Sequence, residues 1–166
     1  MTTPDPLNLG PAPFRFTPQN GVVEGAAFSQ VFKALTSAIV LGSAWWLIDL
    51  WWAGKFGATG FAGLRAAGWF ILGWLLLAWT GWEVLHSRVR MDEQGLHQSW
   101  IWHKHMAYDD LAYAKLIRVR GLEWLMAPRL YVRTLVGKFA VFYVTDALVL
   151  SECERLSATL KAFREM

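Results

Sequence analysis

The chain has 166 residues and a formal net charge of +3, with 55% hydrophobic but only 17% charged residues. A soluble domain averages about 45–50% apolar and about 25% charged residues, so this composition excludes disorder over most of the chain and indicates a membrane protein with a small polar domain. The modest charge also excludes the dense basic stripe of an ordinary nucleic-acid-binding protein. Eight of the 11 tryptophans fall between Trp45 and Trp82, which is typical of a bilayer interface that favours amphipathic rings.

Residues 1–30 are predicted to form an extended, proline-rich tail. Five of the six prolines lie in this segment, and no basic residue precedes Arg15, so we do not expect a secretory signal. Such a segment buries too little surface to offset its ordering entropy by itself. An ordered tail would therefore need another surface to hold it.

Two apolar runs follow, and residues 31–86 are predicted to form a transmembrane hairpin. The first run covers residues 34–54 with Asp49 as its only charge, and the second helix is expected over residues 62–85. A helix of the first run's length rises about 31 Å, which matches the hydrocarbon thickness of a bilayer. The alternative, a pair of core helices in a small soluble domain, would keep a polar face that neither run has.

The short, glycine-containing connection near residues 55–60 makes the two helices antiparallel, so both ends of the hairpin lie on one side of the membrane. Lysine and arginine close to the membrane favour the cytoplasmic side. The connection carries Lys55 and Arg65, whereas the outer ends are flanked by Arg15, Lys33, Arg88, Arg90 and Lys104. We therefore expect both termini in the cytoplasm.

Asp49 and Arg65 lie at a similar depth on either side of the connection, and we predict an intramembrane ion pair between them. A charge in the hydrocarbon region is costly and normally finds a partner or the interface. The alternative pair, Lys33 with Glu83, also matches in depth, but Lys33 lies about 160° around the helix from Asp49. Because Lys33 can also extend to the headgroups, the Asp49–Arg65 pair is favoured.

Residues 87–166 are predicted to form a polar α+β domain of antiparallel strands closed by a C-terminal amphipathic helix. Alternating apolar residues indicate the strands, and glycines mark the turns between them: Gly95, Gly121 and Gly137. The last segment begins with a predicted capping box, Ser151 to Glu154. Apolar residues then recur on one helical face: Cys153, Leu156, Leu160 and Phe163. We expect this helix to cover the open side of a bent sheet or half-barrel.

Two short motifs in this domain match a known pattern. Residues 90–96, Arg-Met-Asp-Glu-Gln-Gly-Leu, place an acidic pair and a glycine before a hydrophobic residue, and residues 106–111 place an aromatic and a polar pair before an aliphatic. With the two-helix hairpin before it, this organisation resembles bacterial membrane proteins with a pleckstrin-homology-like domain. Ala107 and Tyr108 stand where that family commonly has proline and tryptophan. The resemblance implies a half-barrel fold and an anchor in the bacterial cytoplasmic (inner) membrane rather than an activity.

No arrangement in the sequence predicts catalysis, a cofactor or a metal centre. The motifs of nucleophile elbows, zinc proteases, P-loops and dinucleotide-binding folds are absent from the sequence. The single cysteine, Cys153, excludes an intrachain disulfide, and we expect it to be a buried thiol. His103 and His105 share one strand face, but a metal site would need further ligands, so we expect both to face solvent.

Basic residues of the strand domain form the candidate site for contact with lipid headgroups: Arg118, Arg120, Arg129, Arg133 and Lys138. Each basic charge near an anionic membrane surface contributes about 1 kcal/mol. The alternative is a solvated outer face, neutralised by nearby acids such as Glu152 and Glu154.

The function that the sequence favours is that of a non-catalytic, membrane-anchored module that binds a partner protein at the cytoplasmic membrane face. Edge strands of such a sheet can receive a peptide or a neighbouring domain. The alternative is an accessory subunit of a larger integral membrane complex, whose other subunits would order the tail. Membrane lipids and other membrane protein subunits are the expected partners, and nucleic acid is not.

Overall fold

The computed structural model describes residues 13–19, 21–57, 60–119 and 121–165, and these residues form four helices and two antiparallel sheets. In chain order the elements are β1 (Val23–Ala26), α1 (Gln30–Trp52), α2 (Gly60–Ala66), α3 (Gly68–His86), β2 (Arg88–Met91), β3 (Gly95–Ser99), β4 (Lys104–Ala107), β5 (Leu111–Ile117), β6 (Arg129–Thr134), β7 (Phe139–Tyr143) and α4 (Ala147–Glu165). This arrangement confirms the predicted α+β class with two long apolar helices.

α1 and α3 pack against each other as an antiparallel pair. Lys33 near the start of α1 donates from Nζ to the carbonyl of Leu85 near the end of α3, at 2.9 Å. Further along, the Trp74 indole donates to the Val40 carbonyl at 3.2 Å. Gly81 permits this close approach, since a Cβ there would lie 3.0 Å from the Val40 side chain.

Both helices are long and apolar enough to cross a membrane. α1 has no buried residue, and α3 buries only Gly81 and Val84. A core helix of a soluble domain would be mostly buried, so this exposure separates the pair from that alternative.

The helix boundaries differ from those predicted. α1 starts at Gln30 rather than near residue 34, because the Ser29 hydroxyl accepts a hydrogen bond from the Phe32 amide at 3.1 Å and caps the helix. The second predicted helix, residues 62–85, is assigned as two helices, α2 and α3, on either side of Ala67. The Ala67 amide still donates to the Gly63 carbonyl at 2.9 Å, and the Ile71 amide donates to the Ala67 carbonyl at 3.0 Å.

Pairing of β1 with β2 closes the base of the helical hairpin. β1 precedes α1 and β2 follows α3, and the two strands are antiparallel, with Ala26 opposite Arg88. The ladder extends beyond the strands, since the Ala27 amide donates to the Ser87 carbonyl at 3.3 Å. The hairpin is thus continuous with the sheet at both of its ends.

The strand domain contains a four-stranded sheet in the order β1-β2-β3-β4 and a three-stranded sheet in the order β5-β6-β7. Side chains of the first sheet bind the backbone of β7: Gln98 Oε1 accepts from the Tyr143 amide at 3.3 Å, and Lys104 Nζ donates to the Val141 carbonyl at 3.2 Å. Both sheets and α4 contribute to one apolar core, whose fully buried members include Val89, Met91, Leu96, Leu111, Leu130, Val132 and Phe142.

The sequence predicts a separate tail over residues 1–30, whereas the described part of that segment lies on the strand domain. Phe14 and Phe16 belong to the apolar core. Their rings lie 5.4 Å from the ring of Phe163 and 5.3 Å from that of Tyr108, respectively. Side-chain burial needs no backbone amide, so prolines do not prevent it, and this burial fixes the segment without a further protein.

α4 covers both sheets with its predicted apolar face. Three side chains of this face, Cys153, Leu156 and Leu160, are buried in the common core, and the fourth, Phe163, is partly buried and packs against it. Val149, which was not part of the predicted face, is buried with them. Burial raises the pKa of the Cys153 thiol to about 12, which agrees with the predicted inert thiol.

The predicted capping box at Ser151 is wrong. α4 begins at Ala147, where Asp146 Oδ1 accepts a hydrogen bond from the Leu148 amide at 2.9 Å. Ser151 lies inside the helix, and its hydroxyl donates to the Leu148 carbonyl at 2.8 Å. Gly25 of β1 leaves the space for this cap, since a Cβ at Gly25 would lie 2.3 Å from the Asp146 Cβ.

Truncation of Leu160 tests the docking of α4. Leu160 is 1% exposed and Leu148, on the same helix, is 63% exposed. We expect Leu160→Ala to lower the free energy of unfolding by about 2–5 kcal/mol through lost burial and a cavity, and Leu148→Ala to change it by about 0.5 kcal/mol or less. Denaturant unfolding of the full chain in detergent measures both, and equal losses would contradict this packing.

Candidate functional site

Two of the outer strands have covered edges. An edge strand pairs on one side only and leaves backbone groups in need of partners. The side chains of Gln98 and Lys104 bind the backbone of β7, as described above. On β1, the Ala26 carbonyl accepts from the Thr145 amide at 3.2 Å.

The edge of β5 instead borders an open groove between β5 and α4, which we call the β5 groove. It has a volume of about 570 Å³ and is lined by residues 112–116 of β5 and by Ser157, Ala158, Leu160, Lys161, Arg164 and Glu165 of α4. Alternate residues of an edge strand direct their N–H and C=O groups away from the neighbouring strand. In the described part of the chain, one side chain bonds to the β5 backbone: Arg164 Nη2 donates to the Leu111 carbonyl at 2.6 Å.

The β5 groove carries an excess of positive charge. Lys115, Lys161 and Arg164 line it together with one acid, Glu165. Glu165 Oε1 lies 3.7 Å from Lys161 Nζ in an exposed pair, and such pairs contribute little. A groove of this kind suits an extended peptide that carries acidic residues.

The exposed face of the three-stranded sheet is aromatic and basic. Tyr131 and Phe139 stack across β6 and β7 with ring centroids 6.2 Å apart and an interplanar angle of 4°. In the register of the two strands, Arg133 lies opposite Phe139 and Arg129 opposite Tyr143. Cations therefore alternate with aromatic rings along β6.

The structure brings together part of the basic set predicted to contact headgroups. Arg129 and Arg133 lie on the same exposed face of β6, and Lys138 lies just after the turn that links β6 to β7. Arg118 forms an ion pair with Glu154. This pair neutralises the charge of Arg118, as predicted for the alternative in which the basic residues form a solvated outer face. The fifth member, Arg120, is outside the described residues. The uncompensated part of the set is therefore centred on β6.

A second cavity lies where the helices meet the strand domain, and we call it the junction pocket. Its volume is about 370 Å³, and its lining includes Phe28, Phe32, Leu35, Val84, Trp100, Arg129 and Tyr143. The Phe28 ring packs on the rings of Phe32, Trp100 and Tyr143, at 5.3, 5.6 and 5.3 Å. Phe28 falls within the predicted tail, so its role in this cluster was not predicted, although Ser29 before an apolar run is a helix-start signal that places Phe28 at the helix entrance.

Two cations flank the aromatic side chains of the junction pocket. Arg129 lies over the Tyr143 ring at 5.5 Å, and Lys104 Nζ lies 5.9 Å from the same ring and 5.5 Å from that of Trp100. Burial lowers the pKa of Lys104 from its ordinary value. Neither cation has a carboxylate within 4 Å in the described ranges.

The predicted Asp49–Arg65 ion pair is not formed in this structure, since the ion pairs within 4 Å among the described residues do not include it. Both side chains are exposed. Because both are exposed, neither lies in the packed surface between α1 and α3, where an ion pair between the two helices would form. The alternative pair is not formed either, because Lys33 donates to the Leu85 carbonyl instead.

The histidines do not assemble a metal centre in the part of the chain that the structure describes, where no group of three or more His, Cys, Asp or Glu side chains could hold a metal ion. His103 and His105 are exposed, as predicted. The ring of His105 stacks on that of His97 at 4.4 Å, and His97 Nε2 lies 3.3 Å from Asp92 Oδ1.

Asp92 stabilises the turn between β2 and β3. Its Oδ1 accepts hydrogen bonds from the amides of Gln94 and Gly95 at 3.0 and 3.1 Å. Burial alone raises the pKa of Asp92, but the Gln94 amide, the charge of His97 and the Gly95 amide outweigh it and lower the pKa below its ordinary value of 3.8. The ionised form is thus the one that the fold favours.

This shift predicts a pH-dependent contribution to stability. A carboxyl whose pKa is lower in the folded chain stabilises it above the unfolded pKa, and this stabilisation is lost as the pH falls through the folded pKa. We expect Asp92→Asn to destabilise the chain at pH 7, and the difference from the wild type to shrink below pH 3.8. Denaturant unfolding across pH measures this. Glu93→Gln, at the exposed neighbouring position, is the control, and a difference independent of pH would contradict the assignment.

Comparison of the chain with protein-family models, with curated protein sequences and with solved structures gave no match. The geometry of the two cavities and of the exposed helices is therefore what supports a function.

Proposed function

We propose that this protein is a non-catalytic, membrane-anchored interaction module of the bacterial cytoplasmic membrane. α1 and α3 hold the chain in the bilayer with both termini in the cytoplasm. The strand domain, with a pleckstrin-homology-like arrangement, receives an extended segment of a partner protein in the β5 groove. The observation that carries the proposal is the β5 edge, which faces a basic groove, whereas two of the other three outer strands, β1 and β7, form hydrogen bonds with neighbouring elements.

Exposed apolar side chains on α1 and α3 support the membrane anchor. Trp52 at the end of α1 is 70% exposed, and Trp69 at the start of α3 is 82% exposed. Contiguous apolar surface of this extent on a water-soluble monomer is rare, whereas tryptophans at the ends of apolar helices are typical of a bilayer interface.

The order of the elements supports the pleckstrin-homology-like arrangement. A four-stranded and a three-stranded antiparallel sheet are followed by a helix with one buried face. The four-stranded sheet includes β1, which precedes the helical hairpin. In the proposed fold the hairpin is therefore an insertion between the first two strands.

Strand addition explains how the β5 groove would bind its partner. An added strand satisfies the outward N–H and C=O groups of β5, and these main-chain hydrogen bonds give affinity without a catalytic residue. Lys161 and Arg164 on the opposite wall attract acidic side chains of the added segment. This charge complementarity contributes to specificity and to the association rate more than to affinity. Tethering to the membrane raises the effective concentration of the domain near a membrane-bound partner.

The accessory-subunit function is favoured by one observation on α1. Ala38, Gly42, Trp45 and Asp49 recur at helical spacing and are exposed, away from α3. A Cβ added at Gly42 would meet nothing within 4 Å, so another helix can approach closely there. Asp49 in an apolar helix also calls for a partner. This face would then contact another membrane subunit.

Site-specific photo-crosslinking in native membranes tests the β5 groove. A photoreactive amino acid at Ser157, in the groove, should form an adduct with one partner protein, and mass spectrometry should map the adduct to an extended segment. Ala158→Trp fills the groove and should abolish the adduct. Ala162→Trp, at an exposed α4 position outside the groove, should leave it unchanged.

Adduct formation that survives Ala158→Trp, or that Ala162→Trp removes equally, would contradict the groove as the binding site. The same photoreactive amino acid placed at Gly42 distinguishes the peptide-binding module from the accessory subunit. Adducts from Gly42 but none from Ser157 would reject the peptide-binding module in favour of the accessory subunit.

A further inference from the structure

The junction pocket lies at the point where the chain enters and leaves the helical hairpin. Phe32 and Leu35 belong to the first turns of α1, and Val84 belongs to the last turn of α3. If the hairpin crosses the bilayer as proposed above, this level is that of the lipid headgroups on the side of the strand domain. The pocket therefore opens at the depth where a phosphate and the start of an acyl chain are found.

The pocket is built by contacts from both parts of the molecule. Ser29 at the start of α1 donates from its hydroxyl to the Leu125 carbonyl at 3.3 Å, and the Thr145 hydroxyl donates to the Ala27 carbonyl at 3.0 Å. These bonds hold the segment that carries Phe28 between the helices and the three-stranded sheet. The apolar lining is thus fixed by the fold.

Its rim carries positive charge that the protein does not neutralise. The Arg129 guanidinium lies over the Tyr143 ring at 5.5 Å. A guanidinium that stacks on an aromatic face keeps N–H groups in its plane that can form bidentate hydrogen bonds with an anion. Lys104 lies outside the pocket lining, with Nζ 5.5 Å from the Trp100 ring and bonded to the Val141 carbonyl, so it adds a second charge behind the rim. In the described ranges neither side chain has a carboxylate within 4 Å.

The loop beside the pocket exposes apolar side chains at the same level. Leu122 is 41% exposed and Trp124 is 57% exposed, with the indole of Trp124 bonded to the Gly121 carbonyl at 3.2 Å. Ser29 fastens this loop to the start of α1 through the Leu125 carbonyl. Tryptophan is favoured at the membrane interface, so the loop supports placing the pocket against the bilayer surface.

We propose that the junction pocket binds one anionic phospholipid of the membrane in which the hairpin lies. Its phosphate contacts Arg129, with Lys104 behind it, and the first part of an acyl chain packs on Phe32, Leu35 and Val84. An uncharged amphiphile would leave both cations without a counter-charge, and a free anion would leave the apolar wall in water. This site is separate from the β5 groove, and it rests on the membrane-spanning part of the proposed function.

Native mass spectrometry of the full chain in detergent tests the site, with an equimolar mixture of phosphatidylglycerol and phosphatidylcholine as the probe. The wild type should retain phosphatidylglycerol in preference. Arg129→Gln should lower the ratio of bound phosphatidylglycerol to phosphatidylcholine about fivefold, the size expected for one basic charge near the surface. Arg133→Gln is the matched control, because it removes the same charge from the same face of β6 but lies outside the junction pocket.

Three outcomes would overturn the proposal, provided that both variants keep the wild-type unfolding temperature. These are no lipid preference in the wild type, an unchanged ratio in Arg129→Gln, and an equal loss in Arg133→Gln, which would indicate general surface attraction. Excess inorganic phosphate should leave the bound lipid in place, and its displacement would assign the site to a free anion instead. Ala158→Trp should not change the ratio, so failure of the lipid site and of the β5 groove can be told apart.

Discussion

The rest of the structure depends on the pairing of β1 with β2. β1 leads into α1, and β2 leaves α3, so this antiparallel ladder ties the two ends of the helical hairpin together. With the ladder, the hairpin continues directly into the four-stranded sheet. The hydrogen bonds from Ser29 to Leu125 and from Thr145 to Ala27 add to this connection at the start of α1. The junction pocket lies where these contacts bring the helices and the strand domain together.

This constraint separates the two candidate surfaces in space and in chemistry. The junction pocket lies at the helix ends and combines aromatic rings with two cations. The β5 groove lies between β5 and α4 and borders the outer edge of β5. In the proposed orientation, a lipid in the junction pocket would hold the strand domain at the bilayer surface, while the β5 groove stays open to a partner protein. Weak binding at either site is sufficient, because the membrane anchor raises the effective concentration of the domain near its lipid and its protein partner.

Sequence periodicity predicted the features that depend on local pattern. The apolar helices follow from their composition, and the buried face of α4 follows from its helical spacing. Features that depend on tertiary contacts could not be predicted from the sequence. Phe14 and Phe16 are buried by surfaces distant in the chain, and the cap of α4 lies at Asp146 rather than Ser151 because burial of Val149 extends the helix. The position of the β5 groove depends on the order of strands in the sheet, which no local sequence signal predicts.

A cross-strand disulfide tests whether the hairpin and the strand domain form one unit through β1 and β2. Glu24 and Arg90 lie opposite each other in the ladder, and Glu24→Cys with Arg90→Cys should oxidise readily in the full chain, while the buried Cys153 stays a thiol. A protease site inserted after Phe56 then allows the helices to be cut apart. We expect the two fragments to remain joined on a non-reducing gel, and we expect Glu24→Cys with Arg133→Cys to give separate fragments. Fragments that separate for the Glu24–Arg90 pair would contradict the pairing of β1 with β2.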